Sequence, residues 1–326
     1  MAGEFTLLEM SKIEHDTLRK SVMDTLLMES NIMEILPWET IGALATTLVR
    51  MGTLPSVGFR KINEGYAKGT GTLEQKVENI SLLGGFFDTD KAIVRAQNTM
   101  VNARAITQVM QVKALAYKFN DRFINGNPET DPEEFKGMEQ RVDDAVADGF
   151  TGQEIDVAGG SATEGILNSS AISHNFLNKI DQAMYQIKGH NPAYGLMNHH
   201  VLLAIKALMR KEELLDKTKD SFDRLIDVYG QTRFIDIGVK ADQTTEILPL
   251  TEAKGGGTTE TSIYFAKFAI GEFLWGIQEY PMEIEDKGLL ESAPIYRTEM
   301  DWPLGLAVAD PYSISRLFGI IPTDDA

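Results

Sequence analysis

Cysteine is absent from all 326 residues of this chain. Without a thiol the protein can form neither disulfide bonds nor thiolate metal sites, and it has no cysteine nucleophile. The absence fits a reducing cytosol, where disulfides are rare. Protein classes that depend on cysteine chemistry are therefore excluded.

Positive charge is also scarce. The chain has 31 Lys and Arg residues against 48 Asp and Glu residues, which gives a formal net charge of −17. Tight binding to nucleic acid needs Lys and Arg to displace counterions from phosphates, so a strong nucleic-acid binder is disfavoured. A surface that faces nucleic acid without gripping it agrees with this charge, and so does the surface of an ordinary acidic cytosolic protein.

Long apolar runs are missing too. Residues 1–35 form a charged amphipathic segment without the apolar stretch of a signal peptide, so we expect no secretory leader. Charged residues interrupt the longest predicted helix, which excludes a transmembrane span there. With 43% hydrophobic residues the chain still buries a sizeable core, in one large or two modest domains.

The sequence lacks the usual signatures of catalysis. No phosphate-binding Gly-Lys-Ser/Thr motif and no nucleophile-elbow serine occur, and the Gly69–Thr72 run lacks the third glycine of a dinucleotide fingerprint. The candidates for a metal site are His190, His199 and His200, with Asp181 or Glu212. Their spacing fits no standard zinc pattern, because adjacent residues point about 100° apart on a helix. We therefore expect no catalytic, cofactor-binding or metal site, and no enzyme.

What the chain does have is a long polar segment after Leu54. Its two arms, residues 56–62 and 73–83, mix apolar and polar side chains and carry no clean buried face. Between them, residues 64–71 contain three glycines that can take positive φ, and these are expected to turn the chain. A two-stranded ribbon this polar is marginal alone in water, so a neighbouring subunit is the natural surface for it to lie on. The alternative interpretation is a mobile surface loop.

A single long helix is predicted next. Asp90 is a suitable N-cap, because its carboxylate can accept hydrogen bonds from the free amides of the first turn. Apolar residues recur at three- and four-residue steps from Ile93 to Ala116, and neither glycine nor proline interrupts the run before Gly126. A helix over residues 91–119 spans roughly 45 Å, which is longer than a compact domain usually needs.

The rest of the chain alternates helical and strand patterns after a turn-rich stretch at residues 121–170. The periodicities predict helices at 176–187, 199–210 and 214–229. They predict strands at 193–197, 233–239, 246–250, 262–269, 273–277, 282–285 and 293–300. From Ser173 onward this order is an α/β pattern.

Five short motifs stand in order along nearly the whole chain. They are LLMESNIMEILP at residues 26–37, TLP at 53–55, LLGG at 82–85, FINGN at 123–127 and GLAVADPY at 305–312. In this order, around a polar hairpin followed by a long helix, they resemble the major capsid proteins of tailed bacteriophages, which have the Hong Kong 97-type shell fold.

The resemblance implies an α+β protein with an arm, a loop and two domains. Residues 1–35 would be an N-terminal arm that reaches over neighbours, and residues 54–84 an extended loop that lies across an adjacent subunit. The peripheral domain would combine residues 36–53, residues 84–140 with a spine helix at 91–119, and a sheet at 265–303. The axial α/β domain would comprise residues 140–250 and the returning segment 304–322.

The same resemblance implies a structural function. The protein is expected to assemble as hexamers and pentamers into an icosahedral phage head around double-stranded DNA, to reside in the virion, and to assemble in the host cytoplasm. Its expected partners are other copies of the chain, a separate scaffolding protein and a portal, with weak and non-specific contact to packaged DNA, and with no membrane and no cofactor. The loop residues expected at the inter-subunit contact are Arg60, Lys61, Gly65, Tyr66, Lys68, Gly69, Gly71 and Lys76.

Some members of this family join subunits through a loop lysine and a peripheral-domain asparagine. Lys68 is placed for the first role, but residues 288–294 contain no asparagine, so we expect no cross-link. Two other interpretations stay open. One is an encapsulin-type nanocompartment, which shares the shell fold and encloses enzymes, and the other is a hydrolase or binding protein whose long loop is a lid.

Overall fold

A computed structural model describes residues 25–26, 28–95, 103–159, 164–212, 216–219 and 225–322. The helices within these residues are α1 (Asn31–Ile35), α2 (Lys91–Arg95), α3 (Ala103–Asn125), α4 (Met138–Ala147), α5 (Ser170–Tyr185) and α6 (His199–Lys211), with short 3-10 turns at Thr151–Gln153 and Pro311–Ser313. The strands are β1 (Trp38–Thr40), β2 (Ala45–Met51), β3 (Leu73–Asn79), β4 (Ser81–Asp90), β5 (Glu154–Asp156), β6 (Tyr194–Met197), β7 (Asp216–Lys219), β8 (Leu225–Tyr229), β9 (Thr232–Asp236), β10 (Thr261–Ala266), β11 (Leu274–Gln278), β12 (Glu283–Leu289), β13 (Ile295–Val308) and β14 (Ile314–Ile320). No helix of the described residues has both the length and the apolarity to cross a membrane.

A five-stranded sheet is organised by the long strand β13. The first part of β13 lies between β12 and β4, which pair with it antiparallel on either side. Its last part pairs with β11, from Leu304↔Gln278 to Val308↔Leu274, and β1 adds to β11 in parallel. Because β13 has 14 residues, one strand holds the two ends of this sheet together.

A second sheet has seven strands in the order β5-β14-β10-β6-β9-β8-β7. Helices α5 and α6 cover one of its faces and bury a continuous apolar cluster that includes Phe176, Val201, Phe265 and Leu317. The six residues of β10 are all buried, as expected for a central strand covered on both faces. This part of the molecule is a layered α/β unit.

The other face of the seven-stranded sheet joins α3 and the five-stranded sheet in a common core. Three aromatic side chains mark its centre. Trp38 lies 4.9 Å from Trp302 and 5.8 Å from Phe119, measured between ring centroids. The indole nitrogen of Trp302 donates to Gln278 Oε1 at 3.0 Å, which satisfies the one polar group that this buried ring carries.

The predicted long helix is present in part and extends further than expected. Asp90 Oδ1 accepts a hydrogen bond from the Ala92 amide at 2.6 Å, as an N-cap should. Helix α3 continues six residues beyond the predicted end at 119 and stops at Asn125, directly before Gly126. Residues 96–102 lie outside the described residues, so one unbroken helix over 91–119 stays a prediction.

The end of the predicted N-terminal arm packs on its own subunit. Residues 1–24 lie outside the described residues, but Leu26, Ile32 and Met33 are fully buried in the common core. Glu29 forms an ion pair with Lys113 of α3 at 2.6 Å between Oε1 and Nζ. The three apolar side chains therefore pack within the same chain, whereas Met28 is 71% exposed, and the expectation that the arm reaches over neighbours stays a prediction.

The predicted boundaries between loop and sheet also shift. Residues 81–84 belong to β4 and pair with β13, although the loop was expected to extend to 84. Residues 304–308 pair with β11 in the five-stranded sheet, although they were assigned to the axial domain. The reason is the same in both places: backbone pairing continues past the point where the sequence pattern changes.

The helix predicted at 214–229 is wrong. Strands β7 and β8 form an antiparallel hairpin there, and β8 continues into β9 through a tight turn with Gly230 at a φ of 63°. Residues 225–229 (LIDVY) are rich in β-branched and aromatic types that suit a sheet, and pairing with β9 overrides the helical spacing. The strand predicted at 246–250 reduces to one bridge between Val239 and Glu246.

Candidate assembly surface

The polar segment forms a two-stranded ribbon that projects from the five-stranded sheet. Strands β2 and β3 pair antiparallel over seven residues, from Ala45↔Asn79 to Met51↔Leu73. Two further backbone bonds, from the Gly52 amide to Thr72 O and from the Thr72 amide to Thr53 O, extend the ladder beyond the strands. The ribbon therefore starts nine residues before Leu54, where the loop was expected to begin.

The turn lies at a different place from the predicted one. The Glu64 amide donates to Lys61 O at 3.2 Å, and Asn63 takes the positive φ of 67°, a conformation that asparagine tolerates. The predicted turn at residues 64–71 is thus wrong, since Gly65, Gly69 and Gly71 do not have positive φ.

Two of these glycines serve a different need. A Cβ atom at Gly69 would lie 2.5 Å from Ser56 O, and one at Gly71 would lie 2.8 Å from Thr53 O. A Cβ at Gly65 would meet nothing within 4 Å. Gly69 and Gly71 therefore let the two arms of the loop approach closely, whereas Gly65 has no such constraint.

The far part of the ribbon, which we call the tip (residues 52–72), is fully exposed. Among its apolar side chains Val57, Phe59 and Ile62 have exposed fractions of 93%, 109% and 90%. The Arg60 guanidinium lies 5.1 Å from the centre of the Tyr66 ring and donates to Glu64 O at 3.2 Å. These contacts shape the tip but leave its apolar side chains in water.

The paired part of the ribbon is amphipathic with the apolar side outward. Leu73 and Val77 of β3 and Val49 of β2 are at least 60% exposed. Lys76 and Glu78, which lie on the opposite face of β3, point to the body of the subunit. In an ordinary surface ribbon the apolar side chains face the body and the charged ones face water. The apolar outer face of this ribbon is therefore suited to contact with another molecule.

Charged contacts fix the root of the ribbon, which comprises Arg50, Lys76, Glu78 and their partners on the body. Glu78 and Arg141 of α4 form a bidentate pair with both N···O distances at 2.9 Å, and both side chains are less than 10% exposed. Arg141 also donates to Leu306 O at 2.6 Å. Lys76 Nζ lies 2.7 Å from Asp148 Oδ2 in a more exposed pair.

Arg50 completes the root from the other strand. Its guanidinium donates to Val308 O at 2.7 Å, at the end of β13. Burial lowers the pKa of Arg50, the carboxylate of Glu78 raises it, and the neighbouring charge of Arg141 lowers it again. Glu78 therefore offsets the charge of the buried Arg141 and, together with Asp148 and Asp310, that of the partly buried Arg50.

The structure separates the eight loop residues that the sequence singled out. Arg60, Lys61, Gly65, Tyr66, Lys68, Gly69 and Gly71 lie in the exposed tip, and Lys76 lies in the root. The sequence reasoning missed Arg50, Glu78 and Arg141. Glu78 carries one usable signal, because it shares a strand face with Lys76, but its partner is 63 residues away.

The histidines considered for a metal site divide into separate places. His190 Nδ1 lies 2.7 Å from Tyr185 O, and Glu212 lies near His174. His199 and His200 share a third group that the sequence reasoning did not include. Glu246 Oε1 lies 3.3 Å from His199 Nδ1 and 3.3 Å from His200 Nε2.

Known proteins resemble this chain in sequence and in fold. The profile of the family described as Major capsid protein GP7 matches residues 14–173. The SrpI encapsulin complex from Synechococcus elongatus is similar with a TM-score of 0.62 at 12% identity, over 97% of this chain and 96% of that one. The capsid of a native GTA particle gives 0.58 at 12% identity over 90% of each chain, and Mycobacterium phage Bobi gives 0.56 at 11% identity over 97% and 98%. No curated protein matches the sequence.

The similarity over 90% or more of each of these chains shows the Hong Kong 97-type fold, so the expected α+β class is confirmed. The chain thus belongs to the class of structural shell proteins that associate with copies of themselves. The family match over residues 14–173 supports a phage major capsid protein, a component of the virion shell.

Proposed function

We propose that this chain assembles as hexamers and pentamers into an icosahedral head around double-stranded DNA, with the ribbon of each copy lying on an adjacent copy. The observation that carries the proposal is the exposed tip. Every residue from 52 to 75 is exposed, and the apolar side chains there face water in the isolated subunit. Apolar groups gathered on one exposed element mark a surface that another molecule covers.

The size of the effect suits cooperative assembly. Burying one Val, Ile or Phe side chain contributes about 1.5–3 kcal/mol, so Val57, Phe59 and Ile62 together contribute roughly 5–9 kcal/mol before costs. Bringing two proteins together costs about 4–15 kcal/mol. A single loop contact is therefore only marginally stabilising. In a closed ring of subunits each copy makes two such contacts, one through its own ribbon and one with the ribbon of a neighbour.

The acidity of the chain bears on what the shell contacts. A net charge of −17 disfavours tight binding to phosphates, so we infer that packaged DNA is enclosed by the shell and is contacted weakly and without sequence specificity. Shell building needs geometry rather than chemistry, so the proposed role is not enzymatic. A separate scaffolding protein and a portal are the proposed further partners, with assembly in the host cytoplasm.

A second candidate is an encapsulin-like compartment that encloses protein. The similarity to the SrpI encapsulin, with a TM-score of 0.62, favours it, since the same fold builds both kinds of shell. The family match over residues 14–173 favours the phage head.

Electron microscopy of the purified chain, expressed alone and with the proteins of its neighbouring genes, tests assembly. We expect rings or icosahedral particles, and a chain that never exceeds a dimer in any of these conditions overturns the proposal. Nuclease treatment then separates the candidates. Protected double-stranded DNA inside particles supports the phage head, whereas particles that hold protein and no protected DNA support the compartment.

A further inference from the structure

Three side chains with metal-binding atoms converge on one side of the seven-stranded sheet. His199 and His200 open helix α6, and Glu246 belongs to the segment between β9 and β10. The ligating atoms of the three residues all lie within 4.8 Å of one another. They form the one such group of His, Asp and Glu among the described residues.

The backbone arrangement brings both adjacent histidines to the same carboxylate. The two rings lie 3.9 Å apart between centroids, with 36° between their planes. They present different nitrogens, Nδ1 of His199 and Nε2 of His200, to Glu246 Oε1. The sequence argument against a site assumed that neighbouring helical residues diverge, but this choice of nitrogens removes the divergence.

A buried asparagine holds the carboxylate in place. Asn198 caps α6 by accepting from the His200 amide at 2.8 Å, and its Nδ2 donates to Glu246 Oε2 and to Leu248 O, both at 2.6 Å. Asn198 is only 4% exposed. Glu246 Oε2 is therefore occupied, and Oε1 is left to face the two imidazoles. Outer hydrogen bonds of this kind orient the ligands of metal sites.

The two distances between imidazole nitrogen and carboxylate oxygen agree with those of a tetrahedral site. Zinc bound by His nitrogen and carboxylate oxygen at about 2.0–2.2 Å in tetrahedral geometry places neighbouring ligand atoms about 3.3–3.6 Å apart. Both measured distances between imidazole nitrogen and carboxylate oxygen are 3.3 Å. We propose that His199, His200 and Glu246 bind one zinc ion, with a fourth position open to water. Two imidazoles and one carboxylate form a known zinc ligand set.

A second histidine–carboxylate pair, at the other end of α6, offers a comparison for the simpler interpretation of a surface ion pair. His174 Nε2 lies 3.8 Å from Glu212 Oε1, with one histidine and one carboxylate. That pair lacks a second imidazole and has a longer distance, so it serves as a matched control. If Glu246 were only an ion-pair partner, the two places would respond to zinc alike.

Zinc titration of the chelator-treated, unassembled protein by calorimetry tests the site. We expect one zinc per chain, with binding weakened in His200→Ala and in Glu246→Gln by more than the roughly ten- to hundredfold that loss of an outer partner costs. His174→Ala and Glu212→Gln should bind as the parent does. Cobalt, added in place of zinc, should give the strong visible absorption of four-coordinate metal in the parent and lose it in Glu246→Gln.

Equal zinc binding by the parent and by Glu246→Gln overturns the proposal, and so does a parent that binds no zinc. The melting temperature of each metal-free variant checks that the fold is intact, so that lost binding is not mistaken for unfolding. The measurement does not depend on assembly. A chain that assembles but binds no zinc would overturn the zinc site and leave the proposed shell function unaffected. A chain that binds zinc but does not assemble would overturn the shell function and leave the zinc site unaffected.

Discussion

The buried ion pair at the root of the ribbon yields the sharpest prediction, through the substitution Glu78→Gln. The change keeps the size of the side chain and removes its charge. Arg141 then stays buried without its ion-pair partner, and the partly buried Arg50 loses the strongest of the three carboxylates that support its charge. Removing one partner of a buried pair costs about 3–5 kcal/mol, because the remaining charge is not compensated.

A control of similar chemistry lies two residues away. Lys76→Gln removes the pair with Asp148, in which both side chains are 38% exposed. Exposed pairs of this kind contribute about 0–1 kcal/mol, because water and salt screen them. The two substitutions therefore change the same strand and the same face, and they differ mainly in burial.

Hydrogen exchange of the unassembled subunit, followed by mass spectrometry over β2 and β3, is the suitable assay because it reports local opening. At about 1.4 kcal/mol per factor of ten, a loss of 3 kcal/mol lowers amide protection in the ribbon by roughly two powers of ten. Lys76→Gln should lower it by less than about fivefold. The seven-stranded sheet should keep its protection in both variants.

Equal effects of Glu78→Gln and Lys76→Gln on the ribbon would refute the argument, as would no effect of either. A double variant, Glu78→Leu with Arg141→Met, adds a further check. Replacing a buried pair by apolar groups of similar size is often neutral. We expect this variant to recover part of the lost protection, with the remainder missing because Arg50 still lacks the Glu78 carboxylate.

Three further predictions concern the tip and the spine. Gly69→Val should leave the melting temperature of the subunit nearly unchanged and reduce particle yield, because the new Cβ meets the backbone of the opposite arm. The control Gly65→Val should yield particles as the parent does, since nothing lies near its Cβ. Equal particle yields of the two variants would contradict the argument. Phe59→Ser should change the unfolding free energy by less than about 0.5 kcal/mol, since the phenyl group is exposed. It should still abolish the formation of hexamers and pentamers, as measured by sedimentation. Val112→Pro should cost about 3 kcal/mol or more and give insoluble protein, because it removes a hydrogen bond in the interior of α3; soluble protein with unchanged circular dichroism would contradict this.

Much of the framework could be predicted from the sequence, since it depends on local patterns. The N-cap at Asp90, the helical conformation of α3 and the strands near 262–269 and 273–277 are each specified by neighbouring residues. The predicted apolar stripe of the long helix is only partly buried, because Ile106 and Met110 are 46% and 65% exposed whereas Val112 and Ala116 are buried. The order of the motifs added the fold class. The hairpin β7–β8 was missed because its pairing with β9 decides its conformation, and a periodicity within residues 214–229 does not contain that partner.

The loop glycines show a second limit of sequence reasoning. Glycine is favoured where φ is positive and also where another backbone segment comes close, and the sequence does not distinguish these two roles. Here Asn63 takes the positive φ, and Gly69 and Gly71 permit close approach. The expectation that the three glycines turn the chain was therefore wrong, because Asn63 lies in the turn and two of the glycines permit close approach of the two arms. The zinc ligands show the same limit, because Glu246 lies 46 residues after His200 and no spacing rule joins them.

The orientation of the ribbon is the feature that sequence alone did not resolve and that matters most for assembly. Alternation of Lys76, Val77 and Glu78 indicates two faces but does not say which face is inward, and the usual rule would put Val77 inside. The body of the subunit reverses that choice. Arg141 pairs there with Glu78 and also donates to Leu306 O, so both charged side chains are buried with hydrogen-bond partners. Once the charges face the body, Val49, Leu73 and Val77 must face outward, and the ribbon has an apolar outer face for the same reason that its root is stable.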